Sequence, residues 1–255
     1  MLFAREAKKA GYNIIAIAVK GNTRGCLKKY VDKLFWIEVT KFKGISERFK
    51  AEGVLKVALA GQINPYSLFN PKVMANPDVQ DFFGTIEDCR ADTIFKAFNV
   101  RIEAAGLELL DSTSFLTKYI PQEAALSRRK PRSDEAKDII FGFKLAKHLG
   151  LMDIGQSVCV KNGIILAVES IEGTDRTIRR ATHLARSAIV LVKTAKPSQD
   201  MRFDVPVVGL RTIRYLPRAS CLAIEAGKTL FLDQEEAVRL ADRKGIAIIA
   251  KKFPY

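Results

Sequence analysis

Residues 196–206 place two carboxylates, two cations and an amide side chain in a stretch that contains Pro197 and Pro206. Carboxylate oxygens are ligands that Mg²⁺ and Mn²⁺ prefer, and lysine and arginine side chains bind phosphoryl oxygens. Prolines stiffen a loop, and loops on α/β scaffolds commonly carry functional sites. The residues available for this chemistry are Lys196, Gln199, Asp200, Arg202 and Asp204. The segment predicts either a metal and phosphate site or a surface loop in which neighbouring Asp and Arg side chains neutralise each other.

A second acidic segment lies where a predicted strand passes into a predicted helix. Glu169, Glu172 and Asp175 recur there at a spacing of three residues, and Gly173 and Thr174 separate the last two acids. Such acids can hold Mg²⁺ or Mn²⁺, and the N–H groups of a helix N-terminus bind phosphate. Alternatively, Thr174 or Asp175 caps the helix and the acids interact with its dipole. The spacing alone leaves both interpretations open.

Other reaction classes lack the residues that they need. The chain has two histidines and four cysteines, and the cysteines (Cys26, Cys89, Cys159 and Cys221) lie far apart. This spacing excludes a zinc cluster or a disulfide scaffold and favours a reducing, cytoplasmic location. The glycine-rich nucleotide-binding motifs, the G-x-S-x-G elbow and the H-E-x-x-H zinc motif are absent from the sequence. A metal-assisted reaction on a phosphorylated substrate is the remaining interpretation.

The net charge of +14 indicates an anionic partner. Nucleic acid, an anionic membrane surface and a phosphorylated substrate all fit this charge, as does a merely solvated, lysine-rich surface. Aromatic residues do not interleave with the basic cluster at 128–132, so we expect no nucleic-acid partner. No apolar run is long enough to span a membrane, and residues 1–9 lack the layout of a secretory signal.

The pattern predicts an α/β protein of two domains, with an N-terminal domain over 1–122, a linker over 123–133 and a C-terminal domain over 134–255. In the first domain helices and strands alternate, which is typical of a Rossmann-like parallel sheet. We predict helices over 2–10, 45–52 and 86–105, and strands over 12–19, 33–39, 55–60 and 107–110. Because the chain begins with a helix, the first strand of such a sheet and its phosphate-binding turn are expected to be missing.

The C-terminal domain is predicted to be a mixed α/β domain that carries the acidic loop. Ser133 is predicted to cap its first helix, and Asn162-Gly163 and Gly227-Lys228 are each predicted to form the turn of a β-hairpin. Helices are predicted over 134–148, 174–185 and 234–244, and strands over 157–160, 164–168, 188–192, 221–226, 229–232 and 246–250.

Several motifs in combination resemble the LpxI family of UDP-2,3-diacylglucosamine pyrophosphatases. In the second half they are Asp-Ile-Gly-Gln (153–156), Val-Glu-Ser-Ile-Glu-Gly-Thr-Asp (168–175), the 196–206 segment and Glu-Ala-Gly-Lys-Thr-Leu (225–230). In the first half the match is looser, through Leu-Ala-Gly-Gln (59–62), Ala-Asp-Thr-Ile (91–94) and Arg-Arg-Lys-Pro (128–131). The resemblance runs along essentially the whole chain. Family members open with a strand and a glycine turn before the helix matched by residues 2–10, so the resemblance also implies that this strand is missing here.

The resemblance implies hydrolysis of UDP-2,3-diacylglucosamine to UMP and 2,3-diacylglucosamine 1-phosphate (lipid X) in lipid A biosynthesis. It implies Mg²⁺ or Mn²⁺ as cofactor, Asp204 as the essential catalytic residue, and Asp200 as its helper. Asp204, Asp175 and Glu172 are the predicted metal ligands. The predicted substrate-binding residues are Gly61, Gln62, Gly173, Thr174, Lys196, Gln199 and Arg202, with Gly61 and Gln62 facing Asp204 across a cleft between domains. A cytoplasmic protein peripheral to the anionic inner membrane is expected, and a homo-oligomer is compatible with the sequence.

Two other functions remain open at this point. A non-enzymatic binder of nucleic acid or anionic lipid would need only the positive charge and would leave Asp204 unexplained. A pyrophosphatase for another UDP-sugar would keep the chemistry and change only the part of the substrate beyond the diphosphate.

Overall fold

The computed structural model describes residues 1–253, and these residues form two compact units. The first unit consists of residues 1–116 together with 201–204, and the second consists of residues 117–200 together with the chain from 205 onward. Residues 201–204 thus group with the first unit, although they lie in the range predicted for the second domain. Pro254 and Tyr255, which end that predicted range, lie outside the described residues. The domain boundary at 123–133 stays a prediction.

The first unit alternates short helices and strands. Its helices are α1 (Leu2–Lys9), α2 (Ile45–Ala51), α3 (Pro71–Met74), α4 (Pro77–Phe83) and α5 (Ala91–Ala104), with 3₁₀ turns at Gly25–Tyr30 and Pro65–Phe69. Its strands are β1 (Ile15–Val19), β2 (Lys33–Ile37), β3 (Lys56–Val57) and β4 (Glu108–Leu109).

The strands of the first unit pair in parallel, as their alternation with helices predicts. β1 pairs with β2 and β3 pairs with β4, which forms two separate two-stranded sheets. One core cluster joins β3 and β4 to the helices that precede each of them. It comprises Phe49, Val57, Ile102, Leu107 and Leu109. Because β3 and β4 pair in parallel, the segments that follow them lie at one edge of this sheet.

Helix α5 begins later than its apolar pattern predicts. The prediction started the helix at Ile86, whereas α5 begins at Ala91. The Asp88 carboxylate accepts the Arg90 backbone N–H at 2.9 Å and the Arg90 Nε–H at 2.7 Å, which folds residues 88–90 into a turn. Hydrogen bonds from Arg90 lower the pKa of Asp88 to about 2. A short acidic side chain that bonds its own neighbourhood competes with helix formation, which explains the late start.

The second unit contains the largest sheet of the described chain. Its strands are β5 (Ala124–Ala125), β6 (Ser157–Lys161), β7 (Ile164–Val168), β8 (Val190–Lys193), β9 (Val207–Gly209), β10 (Cys221–Glu225), β11 (Leu230–Leu232) and β12 (Ala247–Lys251). Its helices are α6 (Ser133–Leu151), α7 (Thr174–Ala185), α8 (Leu210–Tyr215) and α9 (Gln234–Lys244), with a 3₁₀ turn at Thr117–Tyr119.

Six strands of the second unit form one mixed sheet in the order β5-β12-β10-β8-β6-β7. β8, β10 and β12 are parallel, and β5, β6 and β7 join this centre through antiparallel pairs. Val190 and Val192 of β8 face the core cluster of α6, while Leu191 faces the cluster of α7, α8 and α9. Burial on both faces explains why the central strands read as continuous apolar runs. The α/β class predicted from the sequence is confirmed.

The two predicted hairpins have opposite outcomes. β6 and β7 pair antiparallel around Asn162 and Gly163, whose φ angles of 51° and 75° suit a tight hairpin turn. The hairpin predicted around Gly227 is wrong, because β10 pairs with β8 and β12 while β11 pairs in parallel with β9. Both flanking segments are strands, but each takes its partner from a distant part of the chain.

The predicted cap of α6 is also wrong by one residue. α6 begins at Ser133 itself, and the residue before it, Arg132, takes the cap position. The Glu135 carboxylate accepts the Arg132 backbone N–H at 2.8 Å, so an acid in the first turn satisfies this terminus. Within residues 1–253, no helix has the length and apolar character that crossing a membrane requires.

Candidate active site at the carboxyl ends of β3 and β4

The acidic loop of residues 201–204 is held by the segments that follow β3 and β4. The Ser112 backbone N–H donates to the Met201 carbonyl at 2.9 Å. The Ser112 hydroxyl lies 2.6 Å from the Arg202 carbonyl and 2.5 Å from the Leu59 carbonyl, within hydrogen-bond distance of both. Leu59 follows β3 and Ser112 follows β4. The loop therefore lies at the carboxyl edge of parallel strands, where α/β proteins commonly bind ligands.

Aromatic stacking aligns Asp204 with an acid on α5. Phe203 is buried and stacks on Phe95 with ring centroids 5.1 Å apart and an angle of 16° between the planes. Phe95 lies three residues after Asp92 on α5, so both side chains lie on one side of that helix. Carboxylate oxygens of Asp92 and Asp204 lie within 4.8 Å of each other. The stacked rings thus set the spacing of two neighbouring carboxylates.

Asp204 has an unusual backbone conformation for a residue other than glycine. Its φ is 51°, in the left-handed region that costs most side chains energy. Its side chain is exposed, whereas that of the preceding Phe203 is buried. The left-handed φ of Asp204 lets the chain turn sharply after the buried Phe203. The charged side chain of Asp204 is therefore exposed directly beside a buried ring.

Reasoning from the sequence had not singled out Asp92 as a site residue. It appeared only within the family motif 91–94, and the predicted helix start at Ile86 placed it inside the helix. Because α5 begins at Ala91, Asp92 lies in the first turn, where the helix dipole stabilises a carboxylate. An acid in the first helical turn is common for structural reasons alone. The local sequence could therefore not reveal that Asp92 meets a residue more than a hundred positions away.

Three predicted substrate-binding residues also belong to the first unit. Gly61 and Gln62 are exposed and follow β3, and the φ of +115° at Gly61 is one that glycine adopts without strain. Arg202 ion-pairs with Glu103 through Nη1 at 3.2 Å. Gly61, Gln62 and Arg202 thus share the strand edge of Asp204, by their position after β3 or within the loop.

Lys196, Gln199 and Asp200 belong to the second unit, directly after β8. The Lys196 ammonium forms an ion pair with Asp153, and both side chains are buried. The Gln199 side-chain oxygen accepts the Lys196 backbone N–H at 3.2 Å, and its amide nitrogen donates to the Asp200 carbonyl at 3.2 Å. Gln199 therefore closes a turn that begins at Lys196, whose buried ammonium is held by Asp153.

The N-terminus of α7 carries a buried polar cluster. The Thr174 hydroxyl donates to Glu169 at 2.6 Å and accepts from the Lys193 ammonium at 2.8 Å. Burial acts to raise the pKa of Glu169, but Lys193 and hydrogen bonds from Ser157 and Thr174 hold it below its usual range. Gly173 precedes the helix with φ of 78°. The predicted phosphate-binding pair Gly173 and Thr174 thus lies at the helix start, with Thr174 already bonded to charged partners.

Glu172 and Asp175, predicted as metal ligands, each have an arginine partner in the second unit. Glu172 pairs with Arg180 at 2.5 Å and accepts the Ser170 backbone N–H at 3.2 Å. Asp175 pairs with Arg211 at 2.5 Å, and burial raises the pKa of Asp175 despite this partner. α7 begins at Thr174 after Gly173 and has no side-chain cap bond, so the predicted cap by Thr174 or Asp175 is wrong, although Asp175 lies in the first turn, where the helix dipole favours an acid. The role of Glu172 and Asp175 in metal binding stays a prediction.

Replacing Glu172 with glutamine is expected to lower the free energy of unfolding by about 1 kcal/mol and to leave kcat within a factor of two to three. The carboxylate bonds the turn before α7 and pairs with the half-exposed Arg180, so its loss affects the helix start. Chemical denaturation and steady-state kinetics on the same preparation measure both quantities. A loss of kcat similar to that of an Asp204 variant would instead assign Glu172 to the metal site.

The fold and the acidic pair define a class of protein, namely an α/β protein of two units with a carboxylate site at the ends of parallel strands. Family comparison narrows this class. Residues 1–119 match the LpxI N-terminal domain and residues 122–249 match the LpxI C-terminal domain. The chain belongs to the LpxI family, which confirms the resemblance carried by its motifs. UDP-2,3-diacylglucosamine pyrophosphatase LpxI of Caulobacter vibrioides (strain ATCC 19089 / CIP 103742 / CB 15) is 29% identical over 230 residues, 84% of this chain and 80% of the relative.

Proposed function

We propose that this protein hydrolyses the diphosphate of UDP-2,3-diacylglucosamine, releasing UMP and lipid X in lipid A biosynthesis. The name of the Caulobacter relative supports the substrate. The observation that carries the chemistry is the carboxylate pair of Asp92 and Asp204 at the carboxyl edge of β3 and β4. A non-enzymatic binder of anions would have no need for two neighbouring carboxylates at this edge.

The geometry of this pair fits a divalent cation. Two oxygen ligands of one Mg²⁺ lie about 3 to 4 Å apart, because each is about 2.1 Å from the ion in octahedral geometry. The Asp92 and Asp204 oxygens lie within 4.8 Å of each other, so a small rotation of either side chain suffices. Asp92 and Asp204 are therefore the residues that would hold Mg²⁺ or Mn²⁺. When bound there, such an ion would neutralise charge on the diphosphate and would activate water for attack.

The side chains of the loop have separate roles in this proposal. An Asp204 carboxylate oxygen is exposed and can accept a proton from the attacking water. The stack of Phe203 on Phe95 holds the backbone beside Asp204, so only the carboxylate itself remains to be oriented for the reaction. Arg202 and Lys196 offer cations for phosphoryl oxygens, and Asp200 supports Asp204 without replacing it. Gly61 with Gln62, and Gly173 with Thr174, are proposed to bind further polar parts of the substrate.

We place the protein at the cytoplasmic face of the inner membrane, as a peripheral protein. The substrate carries two acyl chains and a charged diphosphate, so it lies at a membrane surface. The net charge of +14 supports attraction to anionic lipid headgroups, each basic residue near the surface contributing about 1 kcal/mol. Association into a homo-oligomer is compatible with this location.

The test is UMP release from UDP-2,3-diacylglucosamine with and without Mg²⁺. Release is expected with Mg²⁺, is expected to stop in excess EDTA, and is expected to return when Mg²⁺ or Mn²⁺ is restored. Full release in excess EDTA would contradict the metal-dependent mechanism. Equal turnover of UDP-glucosamine without acyl chains would instead assign the protein to another UDP-sugar. Tight duplex DNA binding at physiological salt without any UMP release would contradict the hydrolase.

A further inference from the structure

A buried ion pair holds both polar groups of the Ala195 residue, two positions beyond β8. The Ala195 backbone N–H donates to Glu225 Oε2 at 2.9 Å. The Ala195 carbonyl accepts from Lys147 Nζ, also at 2.9 Å. Lys147 and Glu225 bond each other at 2.7 and 2.9 Å. One lysine and one glutamate therefore fix the N–H and the C=O of a single loop residue.

Stability alone does not explain why this position carries charge. The Lys147 and Glu225 side chains are 5% and 8% exposed, and Ala195 is fully buried. Removing two charges from water costs energy that their attraction only partly recovers, and apolar side chains of similar volume are often as stabilising. The hydrogen bonds that Lys147 and Glu225 make to the Ala195 peptide are a better explanation for these buried charges.

Helix α6 touches the same segment one turn later. Gly150 lies three residues after Lys147, on the same side of α6. A Cβ added at Gly150 would lie 3.3 Å from the Lys196 Cα and 3.6 Å from the Pro197 Cδ. The absence of a side chain at Gly150 thus lets the helix backbone approach the loop. Lys147 and Gly150 therefore both lie against residues 195–197.

The residue fixed next to Ala195 is Lys196, which begins the turn closed by Gln199. The Lys196 backbone N–H donates to the Gln199 side chain at 3.2 Å, and the Gln199 N–H donates back to the Lys196 carbonyl at 3.1 Å. This turn lies outside β8 and follows Ala195 directly, so its direction depends on how the Ala195 peptide is held. The Lys196 ammonium is also paired with Asp153, so freedom at Ala195 would act on the Lys196 backbone and on the turn closed by Gln199.

We propose that Lys147 and Glu225 are positioning residues, which orient Lys196 and Gln199 for the diphosphate by fixing the Ala195 peptide. This inference rests on the proposed function, because it assumes that Lys196 and Gln199 bind substrate. It assigns a role to the Glu225 of the 225–230 motif, which the sequence left without one. Lys147 and Glu225 act only through the loop and do not touch the substrate.

The test removes both charges together with the lysine hydrogen bond. In Lys147→Met/Glu225→Gln, the glutamine oxygen can still accept the Ala195 N–H, but the Ala195 carbonyl loses its donor. We expect a melting temperature close to wild type and a roughly 10- to 100-fold lower kcat/KM for UMP release. We also expect faster amide hydrogen exchange in the peptide covering residues 194–200. A variant with wild-type kcat/KM and wild-type exchange in that peptide would overturn the proposal.

A control comes from a partly buried ion pair of the same unit. Arg129 and Glu135 bond at 2.7 Å and hold the carbonyls of Gly245 and Ser220, away from the 194–200 segment in sequence. Arg129→Met/Glu135→Gln is expected to keep wild-type kcat/KM in its folded fraction. An equal loss of kcat/KM in both double variants would overturn the positioning role, since general loosening would then explain it.

A second variant and the wild-type protein complete the test. If the double variant does not fold, Glu225→Asp keeps both charges and withdraws the carboxylate from Ala195, so the same loss of kcat/KM is expected. Wild-type kcat/KM in Glu225→Asp would overturn the proposal. The wild-type protein is assayed beside each variant, and failure of the wild type to release UMP would refute the proposed function itself. Hydrogen exchange would then still show whether the pair orders the loop.

Discussion

Replacing Asp204 with asparagine is expected to lower kcat for UMP release by two to four orders of magnitude, with a small change in KM. In the proposed mechanism the carboxylate accepts a proton from water or holds the metal ion, and either role stabilises mainly the transition state, so its loss is expected to affect the rate more than substrate binding. Asparagine suits this test because it tolerates the left-handed φ of 51° at this position. Alanine there would add backbone strain to the loss of charge, and the two effects could not be separated.

Steady-state kinetics and thermal unfolding on the same preparation check this expectation. Asp200→Asn is the matched control, because it removes a carboxylate from the same loop four residues earlier and is expected to cost clearly less. Both variants should unfold near the wild-type temperature, since Asp204 is exposed and the buried anchor is Phe203. A folded Asp204→Asn protein within a few fold of wild-type kcat would remove Asp204 from the mechanism.

The sequence predicted the elements of the second unit well, because their signals are local. The helix over 174–185 has the bounds of α7, and the Asn162-Gly163 hairpin follows from the two residues of its turn. The Gly227 turn looks similar in sequence, yet β10 and β11 belong to different sheets. Parallel pairing joins strands that are distant along the chain, so a tight turn between two apolar runs cannot by itself identify their partners.

The candidate site was predictable in part. The density of polar groups in 196–206 indicated a candidate loop, and the family resemblance implied Asp204 within it. Asp92 could not be found in the same way, since its proximity to Asp204 depends on the stacking of Phe95 on Phe203. The roles proposed for Lys147 and Glu225 were likewise hidden, because a lysine within a helix pattern and an acid at a strand end are ordinary features. The roles proposed for all three residues depend on contacts between segments that are distant along the chain.

Asp92→Asn is expected to raise the Mg²⁺ concentration for half-maximal activity by roughly 10- to 100-fold, with kcat partly recovered at saturating Mg²⁺. Asp92 is proposed to share the ion with Asp204, so the amide removes one of two anionic ligands and leaves the other in place. The loss of kcat should therefore be smaller for Asp92→Asn than for Asp204→Asn. It should also depend on the Mg²⁺ concentration, whereas the loss of a proton acceptor would not.

The matched control for Asp92 is Asp78, which also lies in the first turn of a helix in the first unit. Asp78→Asn removes the same charge from the start of α4 and breaks the ion pair of Asp78 with Lys43 at 3.2 Å. Any general effect of a lost helix-dipole interaction is therefore present in both variants. Titration of UMP release with Mg²⁺ compares the two directly. If Asp92→Asn shows the same Mg²⁺ dependence as Asp78→Asn and the wild type, Asp92 holds no metal, and its carboxylate only stabilises the start of α5.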